Sequence, residues 1–171
     1  VSGKGFNADI YLQDLENKYH QSQADKEDLP VTIKYEDQLI SLFLASLYYN
    51  YTKTALKILD FGGGIGTSYD GISKATDIPI DEYHVVEVPE VVKKGKTLRE
   101  SDLNLFFSES IPNNINFDFV FSGSAIQYLE DWHGTLDQLL TSKPKYFIYS
   151  ECLVGNNPTH VTEQVNIRNQ S

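Results

Sequence analysis

Four glycines crowd into five positions, Gly62, Gly63, Gly64 and Gly66, inside Lys57-Ile-Leu-Asp-Phe-Gly-Gly-Gly-Ile-Gly-Thr-Ser-Tyr69. An apolar run enters this cluster and a helix-compatible run leaves it. Glycine adopts positive φ cheaply and carries no Cβ to hold a ligand off. A buried strand that turns this sharply into a helix is the βα unit of an open α/β sheet, where ligands sit beyond the carboxyl ends of the strands. The following helix begins at Thr67 or Ser68, whose hydroxyls are suited to capping it, and its free N–H groups can receive an anion.

The remaining chain fits that frame. Short apolar strands are expected at Lys57–Phe61, Tyr83–Val88, Asn104–Phe107, Phe117–Ser122 and Lys145–Ser150. Helix-length segments separate them at Thr67–Thr76, Pro89–Arg99 and Gln127–Thr141, the last with Leu129, Trp132, Leu136 and Leu139/Leu140 as its buried stripe. Alternation of this kind predicts a parallel sheet with helices on both faces. The link Ser108–Asn116 is too short for a full crossover helix. Residues 1–56 read instead as a helical cap segment. Ile10, Tyr11, Leu15 and Tyr19 share helical spacing, as do Leu39, Phe43 and Leu47.

Composition excludes several functions. With 24 acidic and 14 basic side chains in 171 residues the formal charge is −10, a field that repels phosphate and disfavours nucleic acid. The run Lys93, Lys94, Lys96 and Arg99 reads as a solvated helix face. No stretch approaches the ~20 apolar residues of a membrane span. The single cysteine, Cys152, cannot form an internal disulfide, and no His spacing suggests a metal. The chain has no Met and opens at Val1, so it is expected to be part of a longer protein.

Three ligand classes compete for the glycine turn. A phosphate loop needs Gly-x-x-x-x-Gly-Lys-Ser/Thr, and no Lys follows these glycines. A dinucleotide fingerprint needs Gly-x-Gly-x-x-Gly, but its last position falls on Thr67 or Tyr69. The pattern Asp-x-Gly-x-Gly-x-Gly is met in full by Asp60, Gly62, Gly64 and Gly66. It resembles the first motif of class I S-adenosylmethionine-dependent methyltransferases. Glu87, 21 residues beyond Gly66, closes the next strand where an acid would hold ribose hydroxyls. Asn116-Phe-Asp-Phe-Val-Phe-Ser-Gly-Ser resembles the family's fourth motif.

The resemblance implies a Rossmann-like, doubly wound, mostly parallel sheet of order 3-2-1-4-5 in a cofactor domain spanning 57–171, with the sixth and seventh strands missing from it. It implies S-adenosylmethionine as cofactor. The binding residues it suggests are Asp60, Gly62, Gly63, Gly64, Gly66, Ser68, Tyr69, Glu87 and Val88, with Ser108 and Glu109 at the third strand and Ser122 and Gly123 at the fourth. Asp-Phe-Gly-Gly, Val-Val-Glu-x-Pro and Ser-x-x-Gln-Tyr-Leu-Glu-Asp narrow it to a little-characterised group of bacterial methyltransferases associated with surface-polysaccharide gene clusters. Val88 departs from that group, which commonly has Gln there.

Methyl transfer to a small-molecule or carbohydrate acceptor in the cytoplasm is the leading expectation. Gln127, Tyr128 and Glu151 are the substrate-side candidates, because a hydroxyl acceptor benefits from a base within hydrogen-bond reach. Tyr11, Tyr19 and Tyr35 either form a lid over the cofactor or simply cover the sheet. Homo-oligomers are left open. Two alternatives stand: a non-catalytic nucleoside-binding module, and an NAD- or nucleotide-sugar-linked enzyme.

Overall fold

The computed structural model describes residues 9–24, 45–75 and 78–151. Helix α1 spans Asp9–Ala24, and residues 45–52 form α2. Then come β1 (Leu56–Phe61), α3 (Thr67–Ala75), β2 (Ile80–Val86), α4 (Pro89–Leu98), β3 (Leu105–Ser108), β4 (Phe119–Gly123), a 3-10 turn (Ile126–Tyr128), α5 (Trp132–Thr141) and β5 (Tyr146–Ser150). The five strands make one parallel sheet in the order β3-β2-β1-β4-β5. That is the Rossmann-like order expected from the sequence. Tyr35, Leu39, Phe43, Cys152 and the tail beyond it lie outside the described residues.

Alternation along the strands creates two cores. Leu56, Ile58, Tyr83, Val85, Phe119 and Phe121 face Ala45 and Tyr48 of α2, Ile72 of α3 and Val92 of α4. Leu59, Val86 and Val120 face the other way, against Phe117, Ile126 and Leu139 of α5. A smaller cluster of Leu15, Ile65 and Val91 joins α1 to the glycine turn and to α4. Helix α4 approaches β3 closely at Gly95, where an added Cβ would lie 2.5 Å from the Phe107 ring.

Several stripes read from periodicity are corrected. Trp132 is 43% exposed and Leu140 51%, so the inner face of α5 is carried by Leu139 and, partly, Leu136. The helix starts at Trp132 rather than at Gln127, because Asp131 caps it by accepting the Gly134 N–H at 2.9 Å. Leu47 and Ile10 are also exposed. In α2, Ala45 and Tyr48 point inward instead, since the sheet takes the flat Tyr48 ring edge-on against Phe119. The second strand begins earlier than expected, at Ile80, and ends at Val86, which leaves Glu87 and Val88 in the turn beyond it.

Two polar hubs hold the layers in place. At the strand starts, Asp118 accepts from the Lys57 N–H (2.9 Å), the Tyr48 hydroxyl (3.1 Å) and Lys145 Nζ (2.8 Å). At the other side, buried Arg99 makes a fork to Asp70 (2.7 and 3.0 Å) and donates through Nε to Asp102 (2.6 Å). The fork joins α4 to α3 where neither the Asp70 carboxylate nor the guanidinium is well hydrated. Removing one partner of such a pair costs about 3–5 kcal/mol, because the other charge stays buried. Arg99→Ala should therefore lower unfolding free energy by about that amount in urea titration, far more than Lys53→Ala at the end of α2, whose side chain hydrogen-bonds only to exposed Asn50 and where surface contacts contribute ~0–1 kcal/mol.

Candidate functional site

The glycine turn is built on the last residues of β1. Gly62, Gly64 and Gly66 all adopt positive φ, at 77°, 59° and 79°. Gly63 is constrained differently. A Cβ there would fall 2.4 Å from the Asp60 carboxyl group, so the turn folds back over that carboxylate only because no side chain intervenes. Asp60 is itself buried and accepts from the Tyr83 hydroxyl at 2.7 Å. Burial, then the nearby Asp60 charge, pushes the Tyr83 phenol well above its ordinary pKa, so it remains a donor.

Glu87 meets the turn from the side. Its Oε1 accepts the Gly64 N–H at 3.1 Å and its Oε2 accepts the Val88 N–H at 3.0 Å. The Glu87 N–H in turn donates to the Ser108 carbonyl at 3.0 Å, linking it to the end of β3. Burial raises the carboxyl pKa, and the two backbone bonds oppose the rise.

Between the turn and the ends of β4 and β5 lies an open-mouthed cavity of about 240 Å³. Of the residues singled out in the sequence, Asp60, Gly62, Gly63 and Gly64 line it on the β1 side. Ser68, Ser122 and Gly123 line it from α3 and β4. The Ser122 hydroxyl is fully buried and has no hydrogen-bond partner among the described residues. Glu87, Val88, Ser108 and Glu109 lie outside this cavity, on the β2–β3 side of the turn. Gly66 packs toward Leu105, where a Cβ would meet the Leu105 methyl at 3.1 Å, and Tyr69 joins the core with its ring edge-on to Tyr83. Gly66 and Tyr69 thus shape the turn from behind and do not line the cavity.

Sequence reasoning expected a helical cap, with Tyr11, Tyr19 and Tyr35 either as a lid or as cover for the sheet, but did not single out the residues of α1 that line the cavity. Leu15 and Lys18 of α1 line the cavity, with Ile65, Thr67, Phe121, Ile148 and Ser150. Tyr11 and Tyr19 do sit on this helix and pack around the Leu15 cluster. Tyr11 is held up at about 12 by burial first and by the Glu87 charge second. The spacing of Tyr11, Leu15 and Lys18 on one helical face was the available signal.

Of the residues expected near a substrate, Gln127 is engaged at both ends. Its Nε2 donates to Ser124 Oγ (2.9 Å) and its Oε1 accepts from the Tyr149 hydroxyl (3.0 Å). Tyr128 is exposed next to it. Ser124 and Glu151, the residues just past β4 and β5, both adopt positive φ, at 53° and 55°. Side chains are rarely held so, and such positions gather at functional sites. Among the described residues no three His, Cys, Asp or Glu side chains come together as a metal site, and no helix is long and apolar enough to cross a membrane.

No family model and no curated protein sequence matches this chain. Solved structures do. The plantazolicin methyltransferase BpumL in complex with SAH superposes with a TM-score of 0.52 at 17% identity, over 81% of this chain and 51% of that one. A second BpumL complex, with a triazolic desmethylPZN analog and SAH, gives 0.50 at 18% identity over 79% and 57%. The methyltransferase domain of bacterial CtHen1 gives 0.49 at 18% identity over 64% and 63%. The fold is therefore the Rossmann-like fold that this chain shares with BpumL, and the chain spans about half the length of BpumL.

Two outcomes follow from this geometry. Gly63→Ala should cost about 1–3 kcal/mol through the forced displacement of the Asp60 carboxylate, read as a lowered midpoint in urea. Glu87 carries a pH signature. Its carboxyl pKa is raised on folding, so its contribution is fully present below the unfolded value and is lost as pH rises through the folded one. The stability of the protein relative to Glu87→Ala should accordingly decline as pH rises above the ordinary carboxyl pKa of about 4.3, measured by denaturation across a pH series.

Proposed function

We propose that this chain binds S-adenosylmethionine and is the cofactor-binding part of a methyltransferase, with residues 1–56 as its cap segment. The observation that carries the reading is the Glu87 carboxylate, held by two backbone amides at the rim of a positive-φ glycine turn. An ionised carboxylate offers about four acceptor sites. Two are occupied here, which leaves two for a pair of ribose hydroxyls. Around Gly64 an added Cβ would meet only Leu15, at 3.4 Å. A ligand can approach that backbone closely.

When bound, the cofactor supplies an electrophilic methyl group on a sulfonium, transferred by in-line displacement. The chain's part is positioning and electrostatics. Glu87 fixes the ribose, the Gly62–Gly64 backbone sets the depth, and the buried Asp60 places negative charge beneath a cationic ligand. The overall charge of −10 acts in the same direction. On the acceptor side, the Ser124–Gln127–Tyr149 chain of hydrogen bonds orders the wall. Glu151 is the base candidate for a hydroxyl acceptor, because it is exposed just past β5.

The acceptor we propose is a small molecule or a carbohydrate. The first is supported by the fold shared with BpumL, a plantazolicin methyltransferase. The second is supported by the motif resemblance to polysaccharide-associated methyltransferases and would place the reaction in the cytoplasm of a bacterium. Titration calorimetry with S-adenosylhomocysteine tests cofactor binding. The wild-type chain should bind it, and Glu87→Ala should weaken it about tenfold or more, since hydrogen bonds to a charged group contribute about 1.5–3 kcal/mol. Absence of heat and of any thermal shift with both cofactor and product would sink the reading. Binding without transfer of a labelled methyl to deoxysugars, glycans or azole peptides would reduce it to a ligand-binding module.

A further inference from the structure

Trp132 is the only tryptophan in the chain, and its side chain is 43% exposed at the first turn of α5. An indole in that position forgoes one of the largest apolar burials a side chain can make. It is nevertheless held in place. The ring system stacks on the His133 imidazole, with centroids 3.3 Å apart and planes inclined by 28°. The backbone beneath it is fixed too. Asp131 caps α5 by accepting the Gly134 N–H, and the Thr135 hydroxyl donates to the Asp131 carbonyl at 3.0 Å. The outcome is a flat, solvent-facing aromatic plate with an imidazole behind it.

This plate stands four residues after Tyr128, itself 41% exposed, and five after Gln127, whose amide reaches Tyr149 near the end of β5. Five residues of chain span at most ~17 Å, so Trp132 lies beside the wall assigned above to the acceptor. A single plate suits a ligand with a flat face of its own, whereas a quaternary ammonium is held by several converging rings. Two flat faces compete: the C–H face of a pyranose and the π-face of a heteroaromatic ring. The surroundings favour the first. From Ser124 to Ser142 the chain carries Glu130, Asp131 and Asp137 and no Lys or Arg, and Glu130 and Asp131 are exposed directly before Trp132. Ionised carboxylates accept hydrogen bonds and donate none. A polyol supplies donors for them, and an azole supplies few. The same acids, with −10 over the whole chain, repel phosphorylated and uronic sugars.

We propose that Trp132, backed by His133, is a stacking platform for a neutral pyranose ring of a saccharide acceptor. The inference rests on the methyltransferase reading above and commits its acceptor to the carbohydrate class. Stacking of this kind tolerates changes of hydroxyl configuration, because any pyranose with an apolar C–H face can take it. Trp132 thus selects saccharides as a class, and discrimination among them stays with the side chains nearer the strand ends. It is a binding residue and touches no reacting atom.

The single indole reports on its own occupancy. Methyl β-D-glucopyranoside, methyl β-D-galactopyranoside and methyl α-L-rhamnopyranoside are titrated against the wild-type chain while Trp132 emission is read. Thiazole and tetramethylammonium serve as the planar and the cationic comparison. At least one glycoside should shift the emission to the blue and saturate, and neither comparison ligand should. In saturation-transfer NMR, Trp132→Ala should weaken that glycoside about tenfold or more, and Trp132→Phe should keep most of the binding. A response to thiazole or tetramethylammonium that equals or exceeds every glycoside overturns the saccharide class. No response to any probe, or undiminished glycoside binding in Trp132→Ala, overturns the platform. S-adenosylhomocysteine should bind Trp132→Ala as it binds the wild type. Its failure to bind the wild type overturns the cofactor reading alone, since the glycoside response is read without cofactor. Matching melting curves for the variants exclude misfolding as the cause.

Discussion

The site depends on the space that Gly63 leaves above the Asp60 carboxylate. The backbone reverses over a buried charge that is already bonded to Tyr83, and a single methyl group at residue 63 would occupy the same volume as the carboxyl. With that contact in place, the turn has one path. Gly62 then donates its N–H to the Val86 carbonyl at 2.9 Å, and Gly64 turns its own N–H toward Glu87. Two acids from neighbouring strands thereby end up on opposite sides of one loop, each held by groups that do not titrate near neutral pH.

The cover is tied down by a second set of charges. Arg99 stacks near the Tyr19 ring of α1 at 5.3 Å and near the Tyr69 ring of α3 at 5.6 Å, while its fork holds Asp70. Cation–aromatic contacts of a desolvated guanidinium contribute about 0.5–2 kcal/mol. One buried residue at the end of α4 thus connects both helices that flank the glycine turn. This gives the basic run at 93–99 an internal division. Lys94 and Arg99 are structural clasps to α1, α3 and the loop after α4, and Lys93 and Lys96 carry no such side-chain contacts among the described residues.

The strand–turn–helix units were legible because a buried parallel strand is apolar along its whole length and its boundaries are marked by Gly, Pro and Asp. All five strands fall within a few residues of expectation, and the sheet order follows the implied fold. The cofactor-side turn was legible for the same reason, since it is made of backbone geometry that only glycine permits. The helices were less so. Trp132 and Leu140 match the apolar period of α5, but this helix rests on the sheet through a narrow contact at Leu139, and the matching residues fall outside it. Lys18 shares a helical face with Tyr11 and Leu15, but that spacing alone did not distinguish it. A lysine next to Asp14 at helical spacing reads as an ordinary solvated pair, and only the crossing of α1 over Gly64 brings it to the cavity.

The two halves of the site differ in how they are made, and this bears on what each can specify. The cofactor half is written in φ angles, amide hydrogens and two fixed carboxylates, so substitutions there act on whether a ligand is held at all. The half we propose for the acceptor is written in side chains on a 3-10 turn and two strand ends: exposed Gln127 and Tyr128, with Ser124 and Glu151 at positive φ. Its order comes from one amide that bridges Ser124 and Tyr149. A fold with this division can keep one cofactor while its acceptor changes by substitutions confined to the segment after β4 and the residues just past β5. Selectivity among acceptors is therefore expected to track residues 124–128 and 149–151, with the glycine turn common to all of them.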